Sequence, residues 1–254
     1  MNKPSNMQGK AALVTGAASG LGRGTAVALA QAGADVCIAD VNVAGLQETE
    51  QAVTAQGVKC VVQEVDLSDA TACQVLVATA VEAFGRLDAL CNVAGVLFFN
   101  HSTEMPQAQW DKTLAVNLSA PFFLSQAAIP HLLESNGAIV NVSSSASFIG
   151  EAYAAAYCAS KAGLTNLTKA MAMEYINKPI RINAIAPGGM ATGIVSSMMN
   201  MPTDLDRSLI DRFVPLRGLV EVEDAANLVA FLASDAAQAY HGACISIDKG
   251  ITAG

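Results

Sequence analysis

The chain has 254 residues, of which 52% are hydrophobic, 5% aromatic and 14% charged, and its formal net charge is −8. A chain of this length can bury one large core, and so few charged residues suit helices packed on both faces of a buried sheet. The excess of acidic groups argues against a nucleic-acid partner, because binding to phosphates requires clustered Lys and Arg.

The cysteines and histidines carry no metal-binding pattern. Six cysteines are scattered without a CxxC pair, and three histidines lack the spacing of metal ligands. Free thiols indicate a reducing compartment, so we expect a cytoplasmic protein with no metal. The first ten residues lack the apolar core of a signal peptide, and the long uncharged stretches at 113–133 and 182–203 contain prolines and polar side chains. Neither a leader nor a membrane span is therefore expected.

Short β-branched runs alternate with helical patterns along the whole chain. Strands are predicted at residues 11–15, 36–40, 60–65, 89–92, 138–142, 181–186 and 244–247. Helices are predicted at 21–32, 43–56, 71–84, 154–176, 205–213 and 223–233, with a long helix near 110–133 that bends at Pro121 and ends after Pro130. We therefore expect one domain over 1–254, an α/β doubly wound Rossmann fold with a seven-stranded parallel sheet flanked by helices.

A glycine-rich turn joins the first predicted strand to the first predicted helix over residues 15–22, with the sequence TGAASGLG. Gly16 permits a tight turn, Gly20 lets the backbone approach a pyrophosphate, and Gly22 lets the helix pack close to the strand. The glycines alone also fit an ordinary turn. Their position between strand and helix favours a dinucleotide site, because the helix N-terminus offers N–H groups to phosphates.

An acidic residue at the end of the second predicted strand indicates which dinucleotide binds. Asp40 lies eighteen residues after Gly22. A carboxylate there can accept hydrogen bonds from both hydroxyls of a ribose, and it would repel a 2′-phosphate by roughly 1–4 kcal/mol. Arg23 is expected to be solvated or paired rather than to offset that repulsion. NAD rather than NADP is the predicted cofactor, although a strand-end Asp that caps a turn is an alternative.

Tyr157 and Lys161 are four residues apart on a predicted helix, so they share one face. That spacing alone also fits an ordinary helix. The serines at 143, 144 and 145 follow a predicted strand at the edge of the sheet where doubly wound folds bind ligands. An ammonium group favours the phenolate of a nearby tyrosine, and a serine hydroxyl can hold a substrate oxygen. Together these residue types form a general acid/base set for alcohol oxidation.

These motifs resemble the short-chain dehydrogenase/reductase family over nearly the whole chain, in its NAD-dependent type of about 250 residues. The turn at 15–22 is similar to the family's TGxxxGxG, and Tyr157 with Lys161 is similar to its YxxxK. The resemblance implies that the catalytic serine is Ser144, thirteen residues before the tyrosine. It also implies that Asn117 holds a water molecule that links Lys161 to a proton relay.

The resemblance extends the predicted cofactor site. It implies that Asp66 and Leu67 contact the adenine, and that Pro187, Gly188 and Thr192 fix the nicotinamide. The complete predicted cofactor-binding set is Gly16, Ser19, Gly20, Leu21, Gly22, Asp40, Val41, Asp66, Leu67, Asn92, Ala94, Gly95, Tyr157, Lys161, Pro187, Gly188, Met190 and Thr192.

Two departures from the family pattern affect the sheet and the C-terminus. The family's NNAG reads Asn92-Val93-Ala94-Gly95, so we expect the backbone contact to the cofactor to remain and a polar contact that stabilises the sheet to be lost. The usual DGG reads Asp248-Lys249-Gly250, in a region that commonly forms a subunit interface. The resemblance implies a homotetramer, and the changed residue leaves the details of assembly open.

The segment at 190–202 occupies the position of a substrate lid, within a lid-like region at about 190–215. Its methionines at 190, 198, 199 and 201 either line an apolar pocket or cover the core. The same two possibilities apply to Phe98, Phe99 and Phe148, which either line that pocket or cover the core. His101 and His241 are expected at the surface or in packing roles, and Cys158 is expected to pack.

The leading prediction is an NAD-dependent oxidoreductase that interconverts an apolar secondary alcohol, alicyclic or steroid-like, and its ketone. The alternative within enzymes is a reductase of 3-oxoacyl thioesters, which commonly uses NADPH. The alternative from another class is a non-catalytic NAD-binding scaffold or sensor, which need not retain Ser144, Tyr157, Lys161 and Asn117 together.

Overall fold

Seven parallel strands form one sheet in the order β3-β2-β1-β4-β5-β6-β7. The computed structural model describes residues 5–191, 201–213 and 215–253. The strands are β1 Ala11–Thr15, β2 Asp35–Asp40, β3 Cys60–Glu64, β4 Ala89–Asn92, β5 Ala138–Val142, β6 Arg181–Pro187 and β7 Cys244–Ile247. The predicted doubly wound fold is confirmed, and the switch in strand order between β1 and β4 opens a crevice at the carboxyl edge of the sheet.

Helices cover both faces of this sheet in a single domain. Their bounds are α1 Gly20–Gln31, α2 Val43–Thr54, α3 Ala70–Phe84, α4 Gln107–Leu114, α5 Ala120–Ser135, α6 Ala155–Glu174, α7 Arg207–Ile210 and α8 Val222–Ala233. Alternate strand residues face opposite sides, so Val14 packs with α1 and α8 in one buried cluster and Leu13 packs with α3 and α5 in another. Apolar clusters on both faces explain why the strands are continuous apolar runs.

The long helix predicted near 110–133 differs from the observed one. Helix α4 begins earlier, at Gln107, and a π-helical segment, Ala115–Ser119, joins it to α5. Helix α5 continues through Pro130 to Ser135, and Asn136 ends it in the left-handed conformation with φ 55°. Pro121 has no N–H to donate to the carbonyl oxygen of Asn117 four residues earlier. The irregularity therefore falls before Pro121, in the segment that contains Asn117.

A long excursion leaves the sheet after β6 and returns to it before α8. Met190 and Val220 form a parallel β-bridge, and the N–H of Val220 donates to the carbonyl oxygen of Gly189 at 2.9 Å. Helix α7 and a 3-10 turn, Asp211–Phe213, lie within the excursion. In the described ranges of the chain, no helix is both long and apolar enough to cross a membrane.

Candidate active site

The turn after β1 brings the backbone close to α1 and to the end of β4. Gly16 has φ 67° and Gly20 has φ 49°, a region that glycine adopts readily. A Cβ atom on Gly22 would lie 2.0 Å from the carbonyl oxygen of Gly16, and one on Gly16 would lie 2.7 Å from Cα of Ala94. Only glycine allows this close packing. Ser19 is extended and its side chain does not cap α1, so the first turn of the helix keeps N–H groups for a ligand.

Thr15 fixes the turn that follows β4. Its hydroxyl oxygen accepts hydrogen bonds from the N–H groups of Val93 and Ala94 at 3.1 and 3.2 Å. Val93 stands where the family has its second asparagine, and its side chain packs against the apolar cluster that contains α1 and α8. Apolar packing therefore replaces the polar contact whose loss was expected.

The side chain of Asn92 is buried in the sheet and is not among the described residues that line the cavity. Its Nδ2 donates to Oδ1 of Asn141 at 2.8 Å, and Nδ2 of Asn141 donates to Oγ1 of Thr168 at 2.9 Å. This buried chain of hydrogen bonds ties β4 to β5 and α6. The predicted contact of Asn92 with a cofactor stays a prediction, since its amide nitrogen already serves the sheet.

Asp40 lies at the edge of the cavity with both carboxylate oxygens engaged by backbone. Oδ2 accepts from the N–H of Ala18 at 3.1 Å and Oδ1 accepts from the N–H of Asn42 at 3.0 Å. Each oxygen keeps further lone-pair capacity for a hydroxyl donor. Asp40 therefore both fixes the glycine turn and presents a negative charge to the cavity.

Arg23 is paired, as expected, and directed away from a phosphate-binding role. Its guanidinium donates to the carbonyl oxygen of Ala18 at 2.6 Å and to Oγ1 of Thr49 at 3.0 Å, and it forms an ion pair with Glu48 at 2.7 Å. These contacts consume most of its five N–H donors. Among the described ion pairs, none joins Arg23 to Asp40.

Tyr157, Lys161 and Ser144 meet where β5 ends against α6. Nζ of Lys161 donates to the carbonyl oxygen of Val142 at 2.8 Å and lies 5.7 Å from the centre of the Tyr157 ring. Ser144 forms a side-chain hydrogen bond with Tyr157. All three side chains are buried and line one cavity. The structure thus brings together the three residues predicted to perform acid/base chemistry.

Burial sets the protonation of this group in the free protein. It raises the pKa of Tyr157 to about 12, with the charge of Glu151 adding to the rise and the hydrogen bond with Ser144 opposing it. Burial also lowers the pKa of Lys161 to about 8. Desolvation of the phenolate therefore outweighs, in the free protein, whatever stabilisation the nearby ammonium group of Lys161 provides, so the pKa of Tyr157 lies above its ordinary value.

Asn117 clamps the loop after β4 rather than lining the cavity. Its Oδ1 accepts from the N–H of Val96 at 2.8 Å, and its Nδ2 donates to the carbonyl oxygen of Val96 at 2.9 Å and to Oγ of Ser160 at 3.1 Å. Ser160 in turn donates to the carbonyl oxygen of Tyr157 at 2.8 Å. A Cβ atom on Gly95 would lie 3.5 Å from both Asn117 Oδ1 and Lys161 Nζ, so Asn117 adjoins the lysine. Its predicted water-holding role stays a prediction.

The remaining predicted cofactor residues divide between two regions. Asp66 and Leu67 line the cavity beside Asp40, and hydrogen bonds from Ser68 hold the pKa of Asp66 below its usual value. Pro187, Gly188 and Met190 line it after β6. Thr192 lies outside the described residues, together with the methionines at 198 and 199.

An apolar cluster lies at the Tyr157 end of the cavity. Tyr157 packs there with Leu97, Phe99, Ala146 and Ala154, and Met201 of the lid region packs against them. Phe98 and Phe99 line the cavity, which confirms their pocket reading. The pocket reading of Phe148 is wrong, because its side chain is 46% exposed and it is not among the described residues that line the cavity.

Sequence reasoning missed several residues that line the cavity. They come from loops and helix faces that carry no motif, and their polar members are Asn100, Gln109, Lys112 and Glu151. Phe213 and Ile251 also contribute, from the excursion and the C-terminal segment. In the sequence, the carboxylate of Glu151 six residues before Tyr157 could have indicated a residue that lines the cavity.

The histidines and Cys158 contribute to packing. Nδ1 of His241 accepts from the N–H of Ile182 at 3.3 Å, so its Nε2 carries the proton and donates to the carbonyl oxygen of Ala172 at 2.6 Å. His101 packs edge-on against Tyr153, with ring centres 5.2 Å apart, and lies 3.3 Å from a carboxylate oxygen of Asp204. Cys158 packs in the apolar cluster around Tyr157. Across residues 5–191, 201–213 and 215–253, no cluster of His, Cys, Asp and Glu side chains could hold a metal ion.

The cavity as a whole fits an extended dinucleotide. Its volume is about 1010 Å³ and it runs from the glycine turn, past Asp40, to Tyr157 and Lys161. The uncapped N-terminus of α1 suits a pyrophosphate, and glycine at 16 and 22 lets the turn pack closely against Ala94 and α1.

Comparisons with known proteins give matches over nearly the whole chain. A family profile described as Enoyl-(Acyl carrier protein) reductase matches residues 16–252. The 2,5-dichloro-2,5-cyclohexadiene-1,4-diol dehydrogenase LinX of Sphingobium indicum is 38% identical over 249 residues, and the alignment covers 98% of each chain.

Two solved structures superpose closely on this chain. Carveol dehydrogenase from Mycobacterium avium in complex with NAD has a TM-score of 0.89 at 28% identity, covering 98% of this chain and 100% of the other. A structure from Agrobacterium tumefaciens with bound NADP has a TM-score of 0.86 at 34% identity, covering 100% of both chains.

Proposed function

The chain belongs to the short-chain dehydrogenase/reductase family, and from that premise we propose that it is an NAD-dependent dehydrogenase that interconverts a secondary alcohol and its ketone. Membership of this family makes it an oxidoreductase that works with a nicotinamide dinucleotide. The observation that carries the finer proposal is the meeting of Ser144, Tyr157 and Lys161 in the same cavity as the glycine turn and Asp40.

The proposed chemistry divides between the cofactor and three side chains. A bound nicotinamide dinucleotide supplies the hydride acceptor or donor. The hydroxyl of Ser144 holds the substrate oxygen, and the phenol oxygen of Tyr157 takes the proton from an alcohol or gives one to a ketone. The ammonium group of Lys161 stabilises the phenolate during proton transfer.

The protonation states favour Tyr157 as an acid at neutral pH. With its pKa raised to about 12, the free protein holds the phenol protonated, ready to donate to a ketone oxygen. Alcohol oxidation needs the phenolate, so its rate should rise with pH. Cationic charge brought near the phenol by an oxidised nicotinamide would lower the pKa toward the working range.

Asp40 supports NAD over NADP. Its carboxylate lies at the cavity wall, and Arg23 is committed to Glu48 and to backbone oxygens. A 2′-phosphate beside this carboxylate would be repelled by roughly 1–4 kcal/mol. Because a similar structure holds NADP, the relative affinities for NAD and NADP test this preference.

The apolar cluster around Tyr157 supports a hydrophobic ring as the body of the substrate. Leu97, Phe99 and Met201 form its walls. The relatives named for a cyclohexadienediol and for carveol act on ring alcohols by their names. We therefore propose alicyclic or steroid-like secondary alcohols as the substrate class.

The location and assembly of the enzyme are part of the same proposal. We place it in the cytoplasm, as its free cysteines suggest, and we propose a homotetramer. Trp110 on α4 and Phe122 on α5 are each 38% exposed, which supports contact with another copy. Light scattering after size exclusion would measure the mass, and a monomer would overturn the proposed assembly.

The experiment that tests the function is a substrate panel followed by NADH absorbance. It contains cyclic alcohols, steroids, their ketones and 3-oxoacyl and enoyl thioesters, each with NAD(H) and NADP(H). We expect turnover of ring alcohols with NAD and poor turnover with NADP. Activity confined to the acyl thioesters, the class in the family profile's description, would overturn the substrate class, and equal use of NADP would overturn the role of Asp40.

A further inference from the structure

Glu151 places a carboxylate in the wall of the reaction cavity, in the loop between Ser144 and α6. Its backbone is tied to the helix that carries the acid/base residue. The N–H of Glu151 donates to Sγ of Cys158 at 3.3 Å, and its carbonyl oxygen accepts from the N–H of Ala154 at 3.3 Å. Because Cys158 follows Tyr157 directly, these bonds hold Glu151 in a fixed position relative to Tyr157.

The carboxylate of Glu151 is near the reacting group and has no partner of its own. Its charge contributes to the raised pKa of Tyr157, and partial burial raises its own pKa. Among the described residues, nothing forms a hydrogen bond or an ion pair with its carboxylate oxygens. The side chain is only partly buried, so solvent can supply donors in the free protein. A substrate that displaces this solvent and brings no donor leaves the carboxylate unsatisfied, which is costly.

The surroundings of Glu151 indicate what kind of donor it receives. Leu97, Phe99 and Tyr157 line the same cavity as Glu151. They form an apolar cluster with Ala146, and Cys158, which is hydrogen-bonded to Glu151, packs against that cluster. The amides of Asn100 and Gln109 bond to each other at 2.7 Å. A neutral hydroxyl loses less solvation than an ammonium group on entering such a wall, so a hydroxyl donor fits best.

We propose that Glu151 is a specificity residue that accepts a hydrogen bond from a second hydroxyl of the substrate, so that the enzyme selects ring diols over ring mono-alcohols. The inference rests on the proposed function, in which the first hydroxyl lies between Ser144 and Tyr157. Diols in which the second hydroxyl reaches Glu151 gain this bond, whereas a mono-alcohol leaves the carboxylate unsatisfied.

The test compares kcat/KM for cyclohexanol with that for cyclohexane-1,2-diol, -1,3-diol and -1,4-diol and for 4-aminocyclohexanol. We expect wild-type enzyme to prefer at least one diol by about tenfold or more, as for a hydrogen bond to a charged group. Glu151→Ala should remove that preference, and Glu151→Gln, which keeps an acceptor oxygen, should retain part of it. The matched control is Glu104→Ala, an exposed carboxylate in the loop after β4 that does not line the cavity.

Binding measurements separate this proposal from the proposed function. Ligand-observed NMR on Tyr157→Phe, with and without Glu151→Ala, gives dissociation constants for the same compounds without turnover. Loss of diol-selective binding with Glu151→Ala supports the inference even if no compound is oxidised, an outcome that would instead sink the proposed function. An equal diol-to-mono-alcohol ratio in wild type and Glu151→Ala, or a preference for the amino alcohol over every diol, would overturn the role given to Glu151.

Discussion

Two buried side chains in the cavity have pKa values displaced in opposite directions by the same cause. Desolvation disfavours the charged form, so it raises the pKa of the Tyr157 phenol and lowers that of the Lys161 amine. Lys161 retains its hydrogen bond to the carbonyl oxygen of Val142. A charged amine in this position costs stability, which is typical of residues kept for chemistry rather than for folding.

The displaced pKa of Lys161 predicts how stability changes with pH. The folded value is about 8 against 10.5 for the unconstrained side chain, so between these values the unfolded state binds more protons. The free energy of unfolding should therefore rise with pH across that window. When urea unfolding is measured from pH 7 to 10, the free energy of unfolding of the wild type should rise by up to about 2 kcal/mol relative to that of Lys161→Met. Parallel curves for the two proteins would contradict the lowered pKa. The raised pKa of Tyr157 affects the free energy of unfolding only above about pH 10, where it makes that free energy fall as the pH rises.

Asp40 provides a second prediction at the level of one residue. Asp40→Asn removes the charge and keeps one acceptor for the turn, so the preference for NAD over NADP should fall by roughly 1–4 kcal/mol, about five-fold to several hundred-fold. The ratio of dissociation constants measures it. Asp35→Asn is the control, because Asp35 begins the same strand, bonds to the N–H of Lys59 at 2.8 Å and does not line the cavity. An unchanged ratio in Asp40→Asn would contradict the assignment.

Helices and loops position these side chains through a few close contacts. The π-helical segment before α5 places Asn117 against the loop after β4 and against α6 at once. The turn after β1 packs on α1 through Gly22. Both contacts depend on backbone that departs from regular helix or strand, which is common at functional sites.

Removing the Asn117 side chain should loosen the loop that it clamps. Asn117→Ala leaves the N–H and the carbonyl oxygen of Val96 without their partner, so the free energy of unfolding should fall by about 1–3 kcal/mol. Turnover should fall as well, because the clamp adjoins Lys161. Urea unfolding and kcat measure the two effects. Asn227→Ala, on the exposed face of α8, should change stability by less than about 0.5 kcal/mol, and an equally small effect at Asn117 would refute the clamp.

A single methyl group tests the packing of the glycine turn. Helix propensity alone would favour Gly22→Ala by about 1 kcal/mol, but the new Cβ would lie 2.0 Å from the carbonyl oxygen of Gly16. We expect the steric cost to prevail, with stability reduced by about 1–3 kcal/mol and NAD binding lost. Thermal unfolding and calorimetric titration measure both. Gly150→Ala, which meets nothing within 4 Å, is the control; a stabilised, NAD-binding Gly22→Ala would contradict the packing.

The sequence predicted the elements well where their periodicity is local. The strands β1, β4, β5 and β7 have the bounds expected from their apolar runs. The helix containing Pro121 and Pro130 begins three residues earlier and ends two residues later than predicted, and the bend expected at Pro121 takes the form of a π-helical segment just before that proline.

The candidate site was predictable where residue types carry chemistry at fixed spacing. Tyr157, Lys161 and the glycines of the turn follow from such spacing. Glu151 does not, since its meaning depends on a loop whose position comes from Cys158 and Ala154. The sign of the Tyr157 pKa displacement also required the structure, because burial is a tertiary property.

At the scale of the whole molecule, the sheet brings distant parts of the chain to one edge. The turn after β1, Asp40 at the end of β2, Ser144 after β5 and Gly188 after β6 all line one cavity. Parallel strands place every carboxyl end on the same side, so the fold itself converts sequence order into a single site. Tyr157 joins this site from α6, where Lys161 shares its helix face.

The most direct test of the central claim separates cofactor binding from proton transfer in Tyr157→Phe. The substitution removes only the phenol oxygen and leaves the buried ring in place. Wild type and variant would be compared for NADH affinity by fluorescence titration and for oxidation of a ring alcohol by NADH absorbance. We predict affinities within a few-fold of each other and a kcat lowered at least about 100-fold, the usual contribution of general acid/base catalysis. A Tyr157→Phe enzyme that binds NADH and turns over nearly as fast as wild type would contradict the account.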